Sequence, residues 1–83
     1  MRPVGGLKLA LEGVRREDRR VRFAPVFIAA GGSEDELKLV TDSGGRMRYR
    51  LVTGEYRLRL ETGSETGFAV RDGRWTTVRL RLP

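Results

Sequence analysis

The sequence predicts an all-β fold, a single seven-stranded antiparallel β-sandwich spanning residues 1–83. Two observations carry that expectation. Apolar residues alternate with charged ones along most of the chain, the period-two pattern of sheets wet on one side only, while the spacing of an amphipathic helix is hard to find. The alternating runs are broken by glycines at the points where turns need positive φ. Strands at short, regular spacing with turn signals between them argue for two packed sheets.

Seven strands follow in order, at 6–14, 20–29, 36–42, 46–53, 55–61, 67–71 and 74–82. In "LKLAL", Leu7, Leu9 and Leu11 share a face, as do Leu37 and Leu39 in "LKLVT". "RMRYRL" sets Met47, Tyr49 and Leu51 opposite Arg46, Arg48 and Arg50, and "YRLRL" sets Tyr56, Leu58 and Leu60 opposite Arg57 and Arg59. "TVRLRL" sets Val78, Leu80 and Leu82 opposite Arg79 and Arg81. Around Pro25 the pattern becomes apolar on both faces, which suggests an edge, a bulge or a strand passing through the core. "RREDRR" (15–20) reads as an exposed charged loop, and "SEDE" (33–36) as an acidic loop in which Ser33 and Glu36 also fit a capping box. "RDGR" (71–74) is a favoured two-residue hairpin turn. Residues 46–53 and 55–61 are expected to pair as a hairpin.

Composition narrows the chemistry. A chain of 83 residues buries only roughly 60% of its unfolded surface, so every apolar stripe is needed. There is no Cys, His, Asn or Gln, so disulfides, thiolate metal sites and histidine proton shuttles are excluded. The net charge is +6, from 17 basic and 11 acidic residues; 15 of the basic residues are Arg, and Lys8 and Lys38 are the two Lys. That skew fits either guanidinium recognition of phosphates and carboxylates or an arginine-favouring genome. The longest apolar run, "APVFIAA", is far short of the roughly 20 residues that span a membrane. With no signal-peptide pattern in view, a cytoplasmic or virion setting is expected.

One string suggests catalysis. "DSGG" (42–45) places a serine between Asp and Gly-Gly, as at the nucleophile of chymotrypsin-like proteases. A serine nucleophile needs a base and a group that orients it. The chain has no His, and its two lysines occupy strand positions that face water. A hairpin turn between the two flanking strands accounts for the string directly, with Asp42 accepting a backbone N–H two residues on and Gly44 and Gly45 supplying the unusual dihedrals. No catalytic residue, metal site or cofactor is expected; the acids Glu34, Asp35, Glu36 and Asp42 lack the ordered spacing of a calcium loop.

Extended, the same stretch reads "TDSGGRMRYRLVTGEYRLRL". It resembles the signature of the carboxypeptidase regulatory-like domain, a prealbumin (transthyretin-like) β-sandwich related in shape to immunoglobulin domains. The matching positions are Thr41, Asp42, Gly45, Tyr49, Leu51, Gly54, Tyr56, Leu58 and Leu60. Met47 departs from the usual aromatic, Thr53 from the usual Pro, and "FAPVFI" replaces the small-residue entry to the second strand. The resemblance implies the fold and a non-catalytic module; such domains recur in enzymes, receptors, surface proteins and viral fibres. One branch carries Lys–Asn isopeptide crosslinks, a version excluded here by the lack of Asn.

Candidate binding residues are the arginines on the polar faces, Arg46, Arg48, Arg50, Arg57, Arg59, Arg79 and Arg81, together with Trp75. If residues 46–53 and 55–61 form a hairpin, five of the arginines crowd one sheet surface. Like charges opposite each other across strands destabilise a sheet, so such a cluster calls for acidic neighbours or an anionic partner. It fits a solvated face with arginine stems covering apolar surface, a contact for an acidic protein, or a surface for nucleic acid or another polyanion. Tyr49 and Tyr56 share parity with the core rather than with the arginines, which weakens base stacking. Trp75 fits a packing residue at the sandwich edge, an interface anchor or a sugar platform. The reading that follows is a non-enzymatic interaction or structural module. It would be a subunit of a larger protein assembly, for example a phage virion or tail component, with a protein partner or further copies of itself and no membrane. The alternatives are a polyanion- or nucleic-acid-binding module and an accessory carbohydrate-binding module.

Overall fold

A computed structural model describes residues 3–15 and 17–82. Seven strands are present among them: β1 (Val4–Glu12), β2 (Pro25–Ala30), β3 (Leu37–Val40), β4 (Arg46–Val52), β5 (Gly54–Leu60), β6 (Glu65–Val70) and β7 (Trp75–Arg81), with one 3-10 turn at Arg19–Val21. Sheet A holds three strands in the order β4-β1-β7, and sheet B four in the order β3-β2-β5-β6. Leu7, Leu9 and Leu11 from β1 meet Val26, Ile28, Leu58, Leu60, Phe68 and Val70 from sheet B, all at most 9% exposed. The alternation thus does what its period dictates, and one face of each strand fills the sandwich core.

Several expectations are corrected. The fold is not purely antiparallel. β1 pairs with β4 antiparallel but with β7 parallel, from Gly6 opposite Trp75 to Glu12 opposite Arg81. Next, β4 and β5 do not form a hairpin. They lie in different sheets, because Thr53 alone separates them, too short a link for a two-residue hairpin return. Third, "RDGR" is a turn, closed by the Arg74 N–H donating to the Arg71 carbonyl at 3.2 Å, but not a hairpin. The N–H of Gly73 and the carbonyl of Arg74 bond instead to the start of β1, which draws β7 into sheet A.

Fourth, the second strand begins at Pro25 rather than at residue 20. Asp18 caps the 3-10 turn by accepting the Arg20 N–H at 3.0 Å, and Phe23 then adopts a left-handed φ of 48°. Neither conformation can continue a ladder. Arg16 of the charged loop lies outside the described residues. The "SEDE" segment stays a loop, in which Ser33 Oγ accepts the Asp35 N–H at 3.2 Å.

The Thr-Asp pair of the motif ties this pole together. Thr41 is 2% exposed; its hydroxyl donates to the Val21 carbonyl at 2.6 Å and accepts the Ala24 N–H at 2.8 Å. One buried side chain thereby satisfies two backbone groups of the β1–β2 crossover. Asp42 Oδ1 accepts the N–H groups of Gly44 and Arg46, each at 2.9 Å, so Ser43 occupies a turn. The hairpin expected there is corrected too: the turn carries the chain from β3 in sheet B to β4 in sheet A, where β4 pairs with β1 instead. Gly45 has φ 78°, and a Cβ there would press on Val21 and the Leu11 carbonyl. At the far end of the motif the Tyr56 hydroxyl donates to the Val52 carbonyl, stapling the chain where it arches between sheets, and its ring stacks on Phe68 at 5.5 Å.

Candidate functional site: the outer face of sheet A

The predicted arginine set is divided between two surfaces. Arg46, Arg48 and Arg50 on β4, with Arg79 and Arg81 on β7, share the outer face of sheet A. Arg57 and Arg59 lie on the outer face of sheet B, so the five arginines of residues 46–59 do not crowd one surface. The reason is the arch at Thr53, which carries β5 into the opposite sheet.

β1 runs between the two basic edge strands and adds a residue that the candidate set lacks. Lys8 is opposite Arg48 on one side and Thr77 on the other. Ala10 separates Arg46 from Arg79, and Gly6 separates Arg50 from Trp75. The strand parity of "LKLAL" already turns Lys8 outward. What the sequence does not reveal is that β1 is the central strand of this face. The strand residues of the face therefore comprise six bases, Lys8, Arg46, Arg48, Arg50, Arg79 and Arg81, and one acid, Glu12 opposite Arg81.

Trp75 organises one end of the surface. Its indole lies across Gly6, where a Cβ would run into the ring, and the aromatic ring covers strand backbone that a glycine leaves bare. Lys8 Nζ stands 5.5 Å and Arg50 Cζ 5.7 Å from the ring centroid, both within cation–π range. Trp75 as a residue remains 42% exposed. This also places the ammonium of Lys8 beside an indole. Toward the other end, a shallow cleft of about 380 Å³ has Ala10 and Leu9 in its lining and Arg46, Arg48 and Arg79 around it.

Sheet B presents a different surface. Arg59 makes a two-pronged contact with Glu36, Nε to Oε2 at 3.0 Å and Nη2 to Oε1 at 2.9 Å, and its guanidinium lies 4.3 Å over the Phe27 ring. Arg57 donates to the Ser33 carbonyl at 2.8 Å. The Arg59 guanidinium holds the Glu36 carboxyl below its usual range. Elsewhere, Asp18 is held down to about 2 by the Arg20 side chain and backbone N–H, and Asp42 is lowered by the N–H groups of Arg46 and Gly44. Among the described residues no three His, Cys, Asp or Glu side chains group as metal ligands, and no helix is long and apolar enough to cross a membrane.

No protein-family model and no curated protein matches the chain. Solved structures do. The minor pilin GBS52 of Streptococcus agalactiae superposes with a TM-score of 0.77 at 19% identity, over 98% of this chain and 44% of that one. A DUF3823-family protein from Parabacteroides merdae gives 0.75 at 17% identity, over 98% and 46%. The major pilin subunit BcpA of Bacillus cereus gives 0.71 at 20% identity, over 95% and 28%. The likeness is one of fold. These structures agree with the prealbumin-like, Ig-type sandwich implied by the Thr41–Leu60 motif, and the chain spans less than half the length of each.

Proposed function

We propose that residues 1–83 form one non-enzymatic structural module that carries load within a larger protein assembly. The observation behind this reading is the placement of the first and last strands. β1 and β7 are parallel neighbours across seven residue pairs, so the polypeptide enters sheet A at the Val4 pole and leaves it at the Arg81 pole. Tension along the chain pulls β1 and β7 in opposite directions. The ladder between them is then loaded in shear, with its bonds sharing the force, rather than peeled open one bond at a time. Two of the structures described above are pilin subunits in which the matching part is less than half of the chain, which favours assembly by protein contacts over the virion setting. The motif from Thr41 to Leu60 favours a place among carboxypeptidase regulatory-like domains.

The absence of native cysteine makes the test direct. Val4→Cys with Arg81→Cys, pulled in a single-molecule instrument, loads the β1–β7 ladder in shear. Val4→Cys with Val52→Cys pulls on two residues that face each other across the antiparallel β1–β4 ladder and peels it. The first pair is expected to withstand clearly higher force at the same loading rate, since forced unfolding follows the unfolding barrier. Equal forces would remove the load-bearing reading.

A further inference from the structure

We infer that sheet A accepts an added strand beside β4, and that the strand belongs to a protein partner and alternates acidic with apolar residues. Three observations converge on that position. First, sheet A is one strand shorter than sheet B. β6 packs against β7 and β1, so the sandwich is closed on that side, and the surplus strand β3 overhangs the other. The residues there with core-facing parity are correspondingly uncovered: Leu37 is 40% and Tyr49 38% exposed, and Leu39, Met47 and Leu51 are only half-buried.

Second, the free edge of β4 is occupied at both ends and open between them. The Arg46 N–H and carbonyl go to Asp42, and the Val52 carbonyl takes the Tyr56 hydroxyl. These bonds point away from β1. In an antiparallel ladder alternate residues face the same way, so Arg48 and Arg50 also direct their N–H and carbonyl groups outward, and no strand pairs with that edge among the described residues. An incoming strand that pairs with Arg48 and Arg50 can exchange both bonds with each.

Third, the residues with open backbone carry the charge. A partner residue paired with Arg48 or Arg50 places its side chain on the same outer face, within contact distance. A second copy of β4 would set arginine against arginine, and charged edges of this kind oppose self-pairing. An acidic residue at alternate positions meets Arg46, Arg48 and Arg50, while the intervening apolar residues turn inward over Tyr49 and Leu37. The inference rests on the structural-module reading only in taking the partner to be a protein.

The probe is a peptide of roughly nine residues alternating Glu with Val, long enough to span a typical strand, added to the intact chain. Two controls accompany it: the same peptide with N-methylated amides on its pairing edge, and one with Lys in place of Glu. Binding of the Glu peptide alone, with slowed hydrogen exchange at the Arg48 and Arg50 amides, is the expected result. Arg48→Glu should weaken it about tenfold or more, since a charge reversal replaces attraction by repulsion, while circular dichroism checks that the variant folds. Equal binding of the N-methylated peptide would overturn strand addition in favour of charge alone. A DNA duplex that displaces the peptide at equal phosphate and carboxylate concentration would overturn the choice of a protein partner. No binding of the Glu peptide at about 0.05 M salt, where ionic contacts are little screened, overturns the inference outright. The pulling experiment is unaffected by any of these outcomes.

Discussion

The outer faces of the two sheets are built from the same material, arginines alternating with core-facing apolar residues, yet they differ in electrostatic company. On sheet B, Arg59 is held by Glu36 and stacked over Phe27, and Arg57 is held by a loop carbonyl. With Lys38 on β3, these bases stand among Glu36, Glu55 and Glu65. On sheet A, six bases share the strand surface with Glu12 alone, and the aromatic residue there is shared by two cations. An arginine on a strand's polar face therefore carries no fixed meaning. Its neighbours across the sheet decide whether it closes a local network or stands among like charges.

The largest disruption removes the frame that both faces depend on. Thr41→Val deletes the hydroxyl that satisfies Val21 and Ala24, and is expected to cost about 3 kcal/mol, because two backbone groups lose their partner at a buried site. Urea unfolding measures it, and a change within error would show that water replaces the hydroxyl.

Glycine substitutions compare the faces directly. Gly6→Ala drives the Trp75 ring off β1 and should destabilise by about 2 kcal/mol with a shift in tryptophan fluorescence, as overpacking and lost aromatic cover combine. Gly67→Ala, on the outer face of sheet B, brings its Cβ no closer than 3.8 Å to the Tyr56 carbonyl oxygen, and should be neutral or stabilise by roughly 0.5 kcal/mol through lost chain entropy. Similar losses at both positions would mean that Trp75 is not held as described.

Charge deletion gives a smaller contrast of opposite sign. Arg59→Gln breaks the Glu36 pair and should lower the urea midpoint, whereas Arg48→Gln relieves repulsion on sheet A and should leave it unchanged or raise it. Added salt should stabilise the wild-type chain and narrow the gap, since screening weakens both the pair and the repulsion.

The mildest effect concerns pH. Asp18, Asp42 and Glu36 have folded-state pKa values below their ordinary ones. The stability they contribute is therefore complete above the ordinary carboxylate range and is lost as pH falls, for Asp18 through about 2. NMR titration should show each of these three carboxyls protonating below the ordinary value for its own side-chain type, and Asp42→Asn should flatten the acid limb of the stability curve.

Much of this molecule is local in origin. The period-two runs from Leu7 to Leu82 specify strands, and the parity within each run specifies which side chains enter the core, because alternate residues on a strand must face opposite sides. The turn at Asp42–Gly45 and the outward parity of Lys8, Trp75 and the strand arginines are legible in the same way. What local pattern could not settle is which turns fold a strand back beside its predecessor and which send it across the core. Both kinds use glycine and a short polar link, and hairpins and arches differ only in the partner that the next strand finds. The Arg71–Arg74 turn becomes an arch because β1, some seventy residues earlier in the chain, claims the backbone groups around it. The link at Thr53 becomes one because the chain there is too short to reverse within a sheet. Sequence by itself determined strands, faces and charges; tertiary structure alone made β1 the neighbour of both β4 and β7, gathered six bases on one sheet and left a strand position open beside them, because long-range pairing depends on backbone groups that no nearby residue encodes.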